Sequence, residues 1–150
     1  MIIIGSDHAG FKLKKSLEKW LDKKEIKYLD CGATEFQSQD SYVDYAKKSI
    51  DYFVKNCSAN DKLVLVCGSG VGMSIVANRN KNIRAVLCWS TKQAKQARMH
   101  NNANCLCLGG RNTSLLKAKS ILKAFLSTAF LGGKYQDRLL TIDNDKPINW

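Results

Sequence analysis

Short apolar runs alternate along this chain with longer stretches in which apolar residues recur every three or four positions. The runs occupy residues 2–5, 26–30, 63–67, 84–88 and 104–108. Each is too short for a helix and predicts a buried strand. Helical patterns cover residues 11–23, 44–55, 72–79 and 92–99, and a longer one, 114–130, follows the last strand. Strands alternating with helices predict βαβ units and a parallel sheet. The expected fold is α/β: a Rossmann-like three-layer α/β/α sandwich around a five-stranded parallel sheet. Right-handed crossovers leave few strand orders open, and 2-1-3-4-5 is the one expected. The lone proline, Pro147, lies beyond the last predicted element and breaks none of them.

No low-complexity segment, repeat or linker divides the chain, so its 150 residues read as one domain, 1–150. No apolar run approaches the ~20 residues of a membrane span, so no membrane partner is expected. The opening Met-Ile-Ile-Ile-Gly reads as a strand and not as a signal peptide, which predicts a cytoplasmic protein. Six cysteines, at 31, 57, 67, 88, 105 and 107, should then stay reduced. They contain no CxxC and fit no zinc spacing, so most read as small buried hydrophobes.

A net charge of +11 raises the question of nucleic acid. The lysines are dispersed, however. Lys12, Lys14, Lys15, Lys19, Lys23 and Lys24 fall on what reads as the wet face of one helix, and no like-charged block is interleaved with aromatics. No nucleic-acid partner is expected. A positive field still gathers small anions.

In an open parallel sheet, ligands sit beyond the carboxyl ends of the strands where the strand order reverses. Two loops fall there, Ser6-Asp7-His8-Ala9-Gly10 and Gly68-Ser69-Gly70-Val71-Gly72. Alternate glycines let backbone approach a ligand, and a helix N-terminus aims N–H groups at negative charge. The GxGxG spacing after the third strand is neither a dinucleotide fingerprint nor a P-loop. Cys67 ends the strand at the mouth of this loop. It reads either as a core cysteine or as a thiol base beside a helix N-terminus. Asp7 reads equally as an N-cap or, with His8, as a proton-shuttling or hydroxyl-binding pair. His8 and His100 are the only histidines. His100 and Asn101 stand where a helix meets the fifth strand, either as helix-end chemistry or as an acid–base group beside a hydroxyl ligand. Lys134 and Arg138, four apart on a last helix, share a face, solvated or gripping a phosphate.

Together these stretches resemble the type B ribose-5-phosphate isomerases, whose family includes the galactose-6-phosphate isomerase subunits. The likeness rests on Gly5-Ser6-Asp7-His8-Ala9-Gly10-Phe11, Cys67-Gly68-Ser69-Gly70-Val71-Gly72-Met73-Ser74 and Ala77-Asn78. It continues through Ile83-Arg84-Ala85, Ala97-Arg98-Met99-His100-Asn101-Asn102-Ala103-Asn104 and Leu108-Gly109-Gly110-Arg111. The resemblance implies that Cys67 carries a proton between C2 and C1 of an open-chain sugar. Met73 stands where another branch has a glutamate base, which places this chain with the cysteine users. Backbone N–H groups of residues 69–72 would hold the enediolate oxygen, and Ser69 would add a hydroxyl. His100, with Asp7, would open the furanose ring. Asn101 and Tyr42 would contact sugar hydroxyls, and His8, Arg111, Lys134 and Arg138 the phosphate. No metal or organic cofactor is implied. The family's site is shared across a homodimer, with helices from about residue 112 packing on the domain and on its partner.

Two departures stand out. Lys134 replaces a common arginine, turning a bidentate phosphate contact into a point charge. Ser41-Tyr42-Val43 replaces Asp-Tyr-Pro, which keeps the tyrosine and loses the rigid proline. The activity expected is interconversion of ribose 5-phosphate and ribulose 5-phosphate. A six-carbon substrate, allose or galactose 6-phosphate, is the alternative within the class. A non-catalytic nucleotide- or nucleic-acid-binding module is the alternative outside it.

Overall fold

A computed structural model describes residues 1–144; Pro147 lies outside them. Five strands, β1 (Ile2–Ser6), β2 (Tyr28–Asp30), β3 (Lys62–Cys67), β4 (Ala85–Leu87) and β5 (Cys105–Gly109), form one sheet. Six helices accompany them: α1 (His8–Asp22), α2 (Tyr42–Asn56), α3 (Val71–Ala77), α4 (Thr91–Asn101), α5 (Leu115–Ser127) and α6 (Lys134–Asn144). All strand pairs are parallel. The expected α/β class and parallel sheet hold. The order is β2-β1-β3-β5-β4, so the last two strands stand in the reverse of the expected positions. Handedness permits both orders, and burial separates them. β5, Cys-Leu-Cys-Leu-Gly, is buried throughout and takes the inner place, whereas three-residue β4 is only partly buried and takes the edge.

Alternation along the strands builds one core on each face. Ile2, Ile4, Val64, Val66, Leu106 and Leu108 pack with Leu13 and Leu17 of α1 and Ile121 and Phe125 of α5. Ile3, Leu63, Leu65, Cys67, Cys105 and Cys107 face Ile50 and Phe53 of α2 and Met73 of α3. Each fully buried Ile or Leu contributes roughly 1.5–3 kcal/mol. Five of the six cysteines are buried, and Cys57 is half-buried. Burial, with Cys107 close by, pushes the Cys88 thiol up to about 12, as suits a core residue.

Helix starts follow local capping. Asp7, Ser41, Ser90 and Ser114 each accept a backbone N–H from the first turn of the helix they precede. These caps start α1 three residues, and α2 two residues, earlier than periodicity alone suggests. α4 runs to Asn101, so His100 and Asn101 form its last turn instead of a free loop.

One lysine leaves the solvent face assigned to it. Lys14 is fully buried. Its ammonium bonds Asp30 Oδ2, donates to the Ala33 carbonyl at 2.7 Å and lies 3.5 Å from Glu18 Oε1. Residues three and four apart on α1 drift around the helix, and position 14 falls over the end of β2, where a carboxylate waits. Burial opposes ionisation of Asp30, but bonds from Lys14, the Gly32 N–H and Lys15 outweigh it and hold the carboxyl below its ordinary 3.8. A depressed carboxylate contributes stability above its unfolded value and loses it as the pH falls through the folded one. Removing one member of a buried pair leaves the other uncompensated. Lys14→Met is therefore expected to lower unfolding free energy by about 3 kcal/mol at pH 7. Urea melts should show the deficit shrinking below pH 3.8, where Asp30 takes up a proton.

Candidate active site

β3 ends at Cys67, which is 4% exposed, and the chain then turns through the glycine loop into α3. The N–H of Gly70 donates to Cys67 Sγ at 3.2 Å. Gly70 has φ +81°, and a Cβ there would lie 2.5 Å from Leu87 Cδ1 and 2.9 Å from the Leu108 carbonyl carbon. Only glycine fits, both sterically and conformationally. Ser69 Oγ, exposed at the tip, accepts the Val71 N–H at 3.3 Å. The turn after β5 is sewn to this loop: Gly110 N–H donates to the Cys67 carbonyl at 2.7 Å and Arg111 N–H to the Gly68 carbonyl at 3.0 Å. The Arg111 guanidinium consequently lies against Gly68, where a Cβ would be 3.4 Å from Cζ. The Tyr42 ring, at the start of α2, covers Gly72 so closely that a Cβ would stand 2.6 Å from it.

β1 delivers the acidic side of the crevice. Asp7 is 4% exposed, and its Oδ1 accepts the Gly10 N–H at 2.9 Å. It is thus the N-cap, as one of its two readings held, while standing beside the thiol. Burial raises the Asp7 carboxyl above its ordinary 3.8, against the pull of the Gly10 bond and of His8. His8 Nδ1 bonds Asp40 Oδ1 at 2.6 Å. Asp7, His8 and Asp40 form, among the described residues, the group whose donor atoms could meet a metal ion, within 4.8 Å of one another. Of the atoms in this group, His8 Nδ1 and Asp40 Oδ1 bond each other, and Asp7 Oδ1 accepts the Gly10 amide.

The other expected site residues gather elsewhere. His100 and Asn101 close α4, which runs back from the carboxyl edge of the sheet to its amino edge. There Leu131 N–H bonds the Met99 carbonyl at 3.1 Å, leading the chain into α6. The His100 ring stacks on Tyr135, centroids 4.5 Å apart and planes 17° from parallel. Lys134 Nζ and Arg138 Cζ lie 5.4 and 5.8 Å from the centre of the same Tyr135 ring, so the residues expected to share a face do so. Six-residue β3 spans on the order of 17 Å between the two edges. Within one chain, therefore, Asp7, His8, Tyr42, Cys67, Gly68–Gly72 and Arg111 gather at one edge of the sheet, and His100, Asn101, Lys134 and Arg138 at the opposite edge, two groups called half-sites below.

The ribose/galactose isomerase model matches residues 2–142 of the chain. The chain belongs to the ribose/galactose isomerase family. A putative sugar phosphate isomerase of Rickettsia bellii is 40% identical over 142 residues, which cover 95% of this chain and 96% of that protein. The structure of ribose 5-phosphate isomerase B from Thermotoga maritima superposes with a TM-score of 0.89 at 44% identity, covering 96% and 97% of the two chains. The enzyme of the same name from Mycoplasma genitalium, solved with ribulose 5-phosphate bound, has TM-score 0.89 at 39% identity, covering 95% and 93%.

Two residues of these half-sites escape a reading of the family motifs. Asp40 lies in a polar loop whose composition says only that it is a turn, and Tyr135 sits between two cations that draw attention first. Neither carries a local signal, because each matters through a ring it meets in space. Met73 is fully buried against the second core, so no carboxylate stands beside Cys67 from that position.

The buried Asp7 yields a prediction of opposite sign to that for Asp30. A raised carboxyl favours the fold in acid and disfavours it as the pH rises through the folded value. Asn caps a helix as well as Asp does. Asp7→Asn is expected to raise Tm at pH 7, and scanning calorimetry at successively lower pH should find the gain vanishing near 3.8.

Proposed function

We propose that this family member interconverts ribose 5-phosphate and ribulose 5-phosphate, as a cytoplasmic homodimer with shared sites. The observation that carries the reading is the Cys67 sulfur, placed at the head of α3 with the Gly70 N–H directed at it from 3.2 Å. Sulfur in that position accepts a backbone donor, and a thiolate is the form of cysteine that serves as a base. In the open-chain aldose the thiolate removes the proton on C2, leaving a cis-enediolate; the thiol returns that proton to C1 while the hydroxyl proton of C2 passes to the C1 oxygen, giving the ketose. Negative charge builds on the C1 oxygen in between. Backbone N–H groups of residues 69–72 and the Ser69 hydroxyl meet it, those of Gly70 and Val71 being shared with Cys67 Sγ and Ser69 Oγ. Asp7, beside the thiol, and His100 open the furanose ring, with Asn101 and Tyr42 on sugar hydroxyls. His8, Arg111, Lys134 and Arg138 hold the phosphate. No metal or organic cofactor takes part in this scheme.

The two half-sites at opposite edges support the homodimer. A second copy related by a twofold axis brings the His100 half-site of one chain to the Cys67 loop of the other, and the same operation completes the second site. In that assembly α5 and α6 pack on their own domain and on the partner. Among the described residues no helix is long and apolar enough to cross a membrane.

Two outcomes follow. In the presence of EDTA the protein should convert ribose 5-phosphate to ketose, and Cys67→Ala should lower kcat by about 10³-fold or more, beyond the middle of the range for a single acid–base group. Near-native turnover by Cys67→Ala rejects the base, and far greater activity on allose 6-phosphate rejects the five-carbon substrate. Mixing Cys67→Ala with His100→Ala protein through a cycle of dissociation should restore activity to about a quarter of native, since random re-pairing of a twofold dimer gives one intact site per hybrid. A mixture as inactive as its parents places both groups in one chain's site.

A further inference from the structure

We propose that Asp40 is a positioning residue for the phosphate end of the substrate, acting through His8. This rests on the reading of His8 as a phosphate contact. Asp40 Oδ1 accepts two bonds from the same residue, one from His8 Nδ1 at 2.6 Å and one from the His8 backbone N–H at 3.0 Å. The Asp40 side chain is only 5% exposed, and its Oδ2 is buried without a partner. Among the described residues, both hydrogen-bond donors to the Asp40 carboxylate thus belong to His8. A buried carboxylate needs donors. This one serves the histidine and nothing else.

The chemistry follows from the ring's two nitrogens. A carboxylate on Nδ1 places a proton there and fixes the ring plane, leaving Nε2 as the free nitrogen. Phe36 meets the ring edge-on, centroids 6.0 Å apart and planes at 88°, and removes the remaining rotation. The second bond, to the backbone, sets the first residue of α1 against the loop before α2. That loop lacks the proline that would stiffen it, since Val43 follows Tyr42. Asp40 ties it to His8 by side-chain chemistry instead. Electrostatics alone would not put a carboxylate beside a phosphate pocket. Its presence is explained if the gain from a fixed imidazole donor exceeds the repulsion of a charge already engaged by two N–H groups.

A double-mutant cycle on ribose 5-phosphate separates this role from a merely structural one. Asp40→Ala should raise KM about five- to tenfold with kcat within about twofold, the pattern of lost substrate binding without lost transition-state stabilisation. His8→Ala should raise KM by about tenfold or more, and the double variant should match His8→Ala alone within about twofold, because Asp40 then keeps only a backbone bond and has no imidazole left to position. A native KM in Asp40→Ala overturns the proposal. So does an Asp40→Ala effect of equal size in the His8→Ala background, which would mean that Asp40 acts on the fold at large. Should Asp40→Ala fail to fold, the cycle is run with Asp40→Ser, whose hydroxyl is one atom too short to reach Nδ1. A native protein inactive on ribose 5-phosphate fails the functional reading itself, and the proposal with it. An active native protein with an additive cycle fails only the positioning role.

Discussion

The parallel register of β1 on β3 is the constraint on which the rest depends. Ile2 pairs with Lys62 and Ser6 with Val66, so the next residues in each chain direction, Asp7 and Cys67, emerge side by side at the carboxyl edge. A slip of one residue would send every side chain of β1 to the wrong face and would exchange Ile3 between the two cores. Register is locked at its end by contact without side chains. A Cβ at Gly10 would lie 2.1 Å from the Val66 carbonyl oxygen, and one at Gly110 would lie 2.6 Å from the Ala9 carbonyl oxygen. The three loops that build the Cys67 half-site are therefore packed backbone to backbone, which is why glycines crowd a region where a stable core would ask for larger residues.

Charge is distributed by the same architecture. The acidic groups of the crevice are buried or engaged: Asp7 by the start of α1, Asp40 by His8. The cations of the two half-sites, Arg111, Lys134 and Arg138, are exposed, and two of them flank an aromatic ring in place of a carboxylate. Surface cations with no carboxylate partner among the described residues keep their field for an incoming anion. The largest ion cluster among the described residues, Lys14 with Lys15, Glu18 and Asp30, ties α1 to β2. Asp7 shows the tension between the two uses. Its burial works against ionisation and against stability at neutral pH, a pattern expected where a group is held for chemistry.

Splitting the site between opposite sheet edges turns oligomerisation into part of the proposed mechanism. The C-terminal end of α4 is set by the length of that helix and by Asn102 at φ +42°, which stops it. Tyr135 then fixes the imidazole by stacking, and α6 carries its two cations on the same ring. Each group is held by contacts within its own chain, so the proposed assembly has only to bring the two surfaces together.

Much was decided locally. The apolar runs name all five strands within two residues at each end, because a strand buried on both faces cannot hide its composition. Asp7, Ser41, Ser90 and Ser114 announce four helix starts through their side-chain oxygens, and the GxGxG turn after Cys67 states that backbone comes close to something there. The family motifs from which Cys67, His100 and Asn101 are proposed to serve one reaction are also written along the chain. What the sequence could not settle is what depends on distance in space: whether β4 or β5 takes the edge, that Lys14 turns inward to Asp30, that Asp40 reaches across 32 positions to His8, and that His100 lies at the other end of the sheet from Cys67. Local propensity and periodicity act over a few residues, whereas burial, pairing and charge compensation are settled only when separated segments compete for the same neighbours.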